Sequence, residues 1–183
     1  MIKIESPRLT LLALSAAQLE TYSRSLPELS KELHLPLLGD TSSADVLHAI
    51  NMKLKIMQSL PEDQPAWLTY WLIIPGPNPV GAGLIGFKGL PNSQGEVEIG
   101  YGIDAGYQNQ GYMTDAVRLL AHWAFQHPRC RVIMAEISKT NLASIRVQQK
   151  AGAHRVQEDA ETVVYHLRRE DDSLAPERPL AKR

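Results

Sequence analysis

The stretch Glu96–Ile103, EVEIGYGI, alternates strictly: Val97, Ile99, Tyr101 and Ile103 fall on one side of an extended chain, Glu96, Glu98, Gly100 and Gly102 on the other. A strand built this way needs an apolar layer against one face and leaves acid and empty space on the other. That layer follows directly. Met113, Ala116, Val117, Leu120, Trp123 and Ala124 recur at helical spacing and stop near His127-Pro128, where proline cannot continue the hydrogen-bond ladder. The chain must therefore pack this strand and helix together across a short polar loop.

The flanking segments extend the pattern. Arg8–Leu14 reads as a strand, and Ser15 caps a helix through about Leu26. A cap cluster at Thr41–Asp45 precedes Val46, Leu47, Ile50, Leu54 and Met57, spaced as a helix to Leu60. Trp67–Ile74 and Val80–Phe87 read as two strands of a hairpin joined through Pro75-Gly76-Pro77-Asn78-Pro79. Arg131–Ser138 is a further strand, Asn141 caps a helix ending at Gly152, and Thr162–Leu167 supplies the last strand. Hairpin mixed with strand-helix-strand predicts an α+β fold, a mixed and mostly antiparallel sheet with helices on both faces. A chain of 183 residues, 44% apolar, fits one core. We expect one domain over 1–167 and a poorly ordered charged tail over 168–183.

Several classes of function are disfavoured. A formal net charge of −1 gives no basic surface for nucleic acid. Cys130 is the single cysteine, so neither an internal disulfide nor an all-cysteine metal cage forms. His34, His48, His122, His127, His154 and His166 show no ligand spacing, so no metal is expected. The start, MIKIESPRLTLLAL, lacks a leader pattern, and no apolar run approaches the ~20 residues of a spanning helix, so a cytoplasmic protein is expected. The segment Gly81–Gly86, GAGLIG, has the G-x-G-x-x-G spacing of a dinucleotide fingerprint, which would make a nicotinamide oxidoreductase the rival reading. That fingerprint must open a helix, whereas GAGLIG follows a proline-rich turn and runs on into FKGLPN. Gly81, Gly83 and Gly86 are better explained by a bulge or by close approach of another backbone.

The loop before the strongest helix is the phosphate candidate. A helix N-terminus offers unpartnered N–H groups to an anion, Gly111 lets the backbone pass close, and Gln108, Asn109 and Gln110 add neutral donors. Here a resemblance enters. Residues 107–116, YQNQGYMTDA, resemble the coenzyme A pyrophosphate loop of the GNAT acetyltransferase superfamily, with Gln108 and Gly111 matching and Met113 standing where the family prefers a small residue. Residues 141–153, NLASIRVQQKAGA, are similar to a second family segment, and Ser6-Pro7-Arg8-Leu9-Thr10-Leu11 resembles the opening of the branch that includes ribosomal-protein N-terminal acetyltransferases.

The resemblance implies a GNAT acyl-CoA N-acyltransferase-like fold, acetyl-CoA as cosubstrate and a sheet splayed between its fourth and fifth strands to hold pantetheine. Tyr101 and Ile103 would bond the pantetheine amides, and Gln108, Asn109, Gln110, Gly111, Tyr112, Met113 and Thr114 would hold the pyrophosphate. Asn141 and Ser144, one helical turn apart, would face the sulfur, Ser144 as a hydrogen-bond donor to the leaving thiolate. The implied reaction is direct acetyl transfer to a primary amine, a protein N-terminus or a small molecule. Glu98 is the preferred base and Glu136 the alternative, because both lie on strands flanking the gap. A non-catalytic coenzyme A binder is the other alternative. The acceptor and the oligomeric state stay open, a homodimer being one possibility.

Overall fold

The computed structural model describes residues 2–39, 44–59, 65–77 and 79–172. Its frame is an eight-stranded sheet in the order β1-β2-β3-β4-β5-β6-β8-β7. The strands are β1 (Lys3–Glu5), β2 (Leu9–Ala13), β3 (Trp71–Pro75), β4 (Gly83–Phe87), β5 (Glu96–Ile103), β6 (Val132–Ser138), β7 (His154–Glu158) and β8 (Thr162–Arg168). All neighbours are antiparallel except β5 and β6, whose parallel register runs Glu96↔Val132, Val97↔Ile133 and Glu98↔Met134.

Among the described residues six helices clothe the sheet: α1 (Ala16–Arg24), α2 (Leu26–Leu33), α3 (Ala44–Ser59), α4 (Pro65–Leu68), α5 (Tyr112–Phe125) and α6 (Leu142–Ala151). The main core packs α5 against Leu11, Ile73, Ile85, Val97 and Ile99, and extends under α6 to Ile133, Ala135, Tyr165 and Leu167. Val117 and Leu120 of α5 are fully buried, each contributing roughly 1.5–3 kcal/mol of burial energy. On the opposite face Leu19, Leu29, Ile50 and Leu54 from α1–α3 pack on Leu12, Leu72 and Leu84. The expected α+β fold with helices on both faces is what forms.

Local chemistry sets the element ends. Ser15 and Gln18 make a reciprocal capping box that starts α1. Ser25 caps α2, which has Pro27 in its first turn, so a stretch read as the end of one helix starts another. Trp67 was placed in a strand by its aromatic neighbours, but residues 65–68 form a helical turn, closed where the Trp71 indole donates to the Ala66 carbonyl at 3.0 Å. The cap cluster at 41–43 and the helix end at Leu60 lie outside the described residues. β1 and β7 are additions to the expected set; both lie on sheet edges, β1 is three residues long with only Ile4 turned inward, and every β7 residue is exposed. Residues 169–172, expected to belong to a poorly ordered tail, are tied to the domain. Residues 169–171 form a turn, the Arg169 guanidinium donates to the His127 carbonyl at 2.6 Å, and Asp172 meets the His122 ring at 2.8 Å.

The glycines of GAGLIG lie on and beside β4, with no helix following. A β-carbon on Gly83 would come within 2.4 Å of the Gly102 carbonyl oxygen, and one on Gly86 within 2.6 Å of the Thr69 carbonyl oxygen. Close backbone approach is the reason for Gly83 and Gly86, whereas Gly81 is crowded by the Leu37 and Leu72 side chains; the β3–β4 and β4–β5 registers run without a bulge.

Candidate active site

Parallel pairing of β5 with β6 ends at Glu98↔Met134, although β5 continues to Ile103 and β6 to Ser138. Beyond that point the strands part, and the sheet carries a gap. Asp104 N–H bonds the Ala82 carbonyl and Lys88 N–H bonds the Glu98 carbonyl, so the even-numbered residues of β5 turn their backbone groups toward β4. By the alternation of an antiparallel ladder, Tyr101 and Ile103 turn theirs toward the gap. Gln108 Nε2 already donates to the Ile103 carbonyl at 3.3 Å.

Gly111 starts α5 with φ +85°, and no side chain caps this helix. Its counterparts differ: Ser15, Ser25 and Asn141 cap α1, α2 and α6. Free N–H groups and the positive end of the helix dipole thus converge at a site open to an anion. They border a cavity of about 420 Å³ lined by Tyr101, Gly102 and Ile103, by the loop and first turn of α5, and by α6. Gln108, Asn109, Gly111, Tyr112, Met113 and Thr114 all line it. Gln110 does not: its side-chain amide turns back to the Gly106 carbonyl at 2.8 Å. Met113 is 7% exposed and packs in the main core, which absorbs the bulk that the resemblance disfavours there.

The far wall is α6. Asn141 caps it, its Oδ1 accepting from Ser144 N–H at 3.1 Å, and both residues line the cavity. Arg146 and Lys150, one turn apart on the same helix, add two cations to the lining. The Tyr101 hydroxyl crosses to this wall, accepting from Gln148 Nε2 at 3.0 Å and donating toward the Ser144 carbonyl at 3.4 Å. Burial raises the Tyr101 phenol above its ordinary pKa, with those two hydrogen bonds pulling the other way. The strand pattern showed which side Tyr101 takes, but its contact with Gln148 joins residues 47 apart and had no sequence signal.

Glu98 and Glu136 do not line this cavity. Glu98 stands at the last β5–β6 pair and Glu136 two residues further on β6, both on the sheet face turned away from α5. Glu98 forms an ion pair with Lys88, while Glu136 is exposed. Gly100 and Gly102 share the Glu98 face, and a β-carbon on either would meet nothing within 4 Å. The gap therefore joins the cavity at the α5 N-terminus on one face to open, acid-flanked space on the other. Among the described residues there is no cluster of side chains suited to a metal and no helix long and apolar enough to cross a membrane.

The uncharacterized N-acetyltransferase YjdG of Bacillus subtilis is 26% identical over 152 residues, 83% of this chain and 89% of that protein. Two solved structures share the fold at 16% identity. Ribosomal-protein-S5-alanine acetyltransferase from Vibrio fischeri superimposes with a TM-score of 0.66 over 94% of this chain and 99% of its own. A ribosomal L7/L12 α-N-protein acetyltransferase in complex with coenzyme A does so with 0.65 over 91% and 98%. The family model for the acetyltransferase (GNAT) domain matches residues 8–154, from the start of β2 through α6. With the uncapped α5, the parted strands and the cavity between them all inside that match, the chain belongs to the GNAT acetyltransferase family and is an acetyl-CoA-dependent acetyltransferase.

Proposed function

We propose that the enzyme transfers acetyl directly from acetyl-CoA to a primary amine that enters over Gly100 and Gly102. The uncapped start of α5 at Gly111 carries the reading, because it fixes the phosphate end of the coenzyme and thereby directs the thioester along Tyr101 and Ile103 into the gap. The N–H groups of residues 111–114 hold the pyrophosphate, and Gln108 and Asn109 supply side-chain donors. Arg146 and Lys150 add positive charge on the α6 side.

In the transfer the amine lone pair forms the C–N bond, the thioester C–S bond breaks and the sulfur leaves as thiolate. Glu98, at the fork and beside the open glycine face, accepts the amine proton directly or through water; Glu136 is the alternative from the other strand. Ser144 donates a hydrogen bond to the departing sulfur, on a helix whose first turn Asn141 holds in place. Cys130 supports transfer without a covalent enzyme intermediate: it is fully buried, and burial pushes its thiol up to about 11 despite the nearby Arg169.

The acceptor is a protein N-terminus or a small amine. An α-amine, with a pKa of about 8, presents far more neutral nucleophile near pH 7 than a lysine side chain near 10.4, and asks less of an ion-paired Glu98. A thiol-release assay with acetyl-CoA against peptides of varied first residue, polyamines, amino acids and aminoglycosides tests this. Amine-dependent release, abolished by Gly111→Asp together with coenzyme binding, is expected. Hydrolysis alone across the whole panel would overturn the amine reading, and undiminished affinity in Gly111→Asp would overturn the phosphate placement.

A further inference from the structure

Arg8 lies just ahead of β2, more than a hundred residues from α5 in sequence, yet its guanidinium sits on the loop that starts that helix. Nη1 donates to Asp115 Oδ2 at 2.6 Å, Nη2 donates to the Gln110 carbonyl at 2.7 Å, and Cζ lies 4.9 Å from the centre of the Tyr112 ring. A β-carbon on Gly111 would approach Nη1 to 3.2 Å. Arg8 does not itself line the cavity.

Two consequences follow from these contacts. Gln110 lies between Asn109 and Gly111, both with positive φ, so the peptides here have little regular structure to orient them. In a trans peptide the carbonyl and the next N–H point in opposite directions, so fixing the Gln110 carbonyl on Arg8 turns the Gly111 N–H away from it. Asp115, in the first turn of α5, is also a carboxylate beside the place where a pyrophosphate must sit. Unpaired, it would repel that anion and compete for the free N–H groups at the helix start. Arg8 neutralises it and holds it aside.

We propose that Arg8 is a positioning residue for coenzyme binding, acting through Asp115 and the Gln110 peptide to keep the α5 N-terminus open to phosphate. The proposal rests on reading that N-terminus as the pyrophosphate site. Its signature is a divergence between affinity and stability. The Arg8–Asp115 pair is half-exposed on the arginine side, and exposed pairs contribute only about 0–1 kcal/mol to folding.

Calorimetric titration of acetyl-CoA into wild type, Arg8→Ala, Arg8→Lys and the Arg8→Ala/Asp115→Asn double variant tests it, with melting temperatures and steady-state kinetics alongside. Arg8→Ala is expected to weaken Kd at least tenfold with a small melting shift, the kinetic loss falling more on KM for acetyl-CoA than on kcat. Removing the Asp115 charge in the double variant is expected to restore a large part of that affinity, which a purely structural brace would not allow. Arg8→Lys, which keeps the charge but not the two-pronged contact, is expected to fall between, and serves if Arg8→Ala does not fold. A folded Arg8→Ala with Kd within twofold of wild type, or a double variant as weak as the single, would overturn the role of Arg8. If Gly111→Asp still abolishes binding in that case, the phosphate site itself stands; if wild type fails to bind, the site reading has failed first.

Discussion

β4 and β5 lie side by side, and each carries a glycine pair, yet the pairs do opposite work. Gly83 and Gly86 on β4 are pressed against backbone, where an added carbon would stand 2.4 and 2.6 Å from carbonyl oxygens. Gly100 and Gly102 on β5, the first paired with Gly86 across the ladder, face space with nothing within 4 Å. Helices α1–α3 cover β2, β3 and β4 through Leu12, Leu72 and Leu84 and leave the same face of β5 open. One strand is where the protein is sealed; its neighbour is where we propose that the acceptor enters. In the first pair glycine permits close packing, in the second it keeps a path clear, and the residue type alone does not distinguish the two.

The largest expected effect tests the sealed side. Gly83→Ala places its new atom against two backbone neighbours that cannot rotate away, and should lose about 3 kcal/mol, the upper part of the overpacking range, in urea denaturation. Stability within 0.5 kcal/mol of wild type would erase the contrast, a threshold set by the usual scatter of neutral substitutions.

A second test uses Lys53, whose ammonium donates to the Phe87 carbonyl at the end of β4 and lies 4.6 Å from the centre of the Tyr70 ring. Burial lowers its pKa from 10.5 to about 8. Between those values the unfolded chain holds the proton more tightly, so stability should rise with pH from about 8 toward 10.5. The penalty is fully present below 8, and the slope approaches about 1.4 kcal/mol per pH unit at most. Lys53→Met should flatten that slope in denaturation curves measured across the window; an unchanged slope would mean that the covered face admits solvent.

On the open side, Gly100→Val should leave stability near wild type, since valine suits a strand and its β-carbon has nothing within 4 Å. It should cut turnover about tenfold, near 1.4 kcal/mol of barrier, by filling the acceptor's path. Wild-type turnover in the thiol-release assay would move the acceptor elsewhere. The smallest effect is assigned to Lys88→Ala, which frees Glu98 from an ion pair exposed on its lysine side and should change stability by about 1 kcal/mol or less. Glu98→Gln should lower turnover near neutral pH with coenzyme affinity kept if Glu98 is the base, and wild-type turnover would favour Glu136 or solvent.

How far the fold could be read in advance depended on the kind of signal. β5 and α5 were legible because each buries one face, so burial prints a period of two or of 3.6 on the sequence. The caps Ser15 and Asn141 were legible for the same local reason: side chain and helix start lie within one turn. β1 and β7 left no comparable imprint, as sheet edges with little to bury. At Trp67 the β propensity of an aromatic run lost to a core in which that indole packs against Phe87 and Trp123. The loop 108–111 was recognised by its own residues, but the turning of Gln110 away from the cavity was not, because residue type leaves open whether that amide bonds a ligand or the Gly106 carbonyl four residues back.

The order of letters by itself determined where β5, α1 and α6 start, which faces of β5 and α5 are apolar, and that a glycine precedes α5. These are short-range matters, decided by sterics and by hydrogen bonds within a few residues. Only the tertiary structure decided that β5 and β6 separate after Glu98, that Gly100 faces space while Gly86 faces backbone, and that Arg8 reaches Asp115. Those outcomes depend on pairings between distant segments, whose free energy comes from surfaces meeting and has no counterpart in any local stretch of the chain.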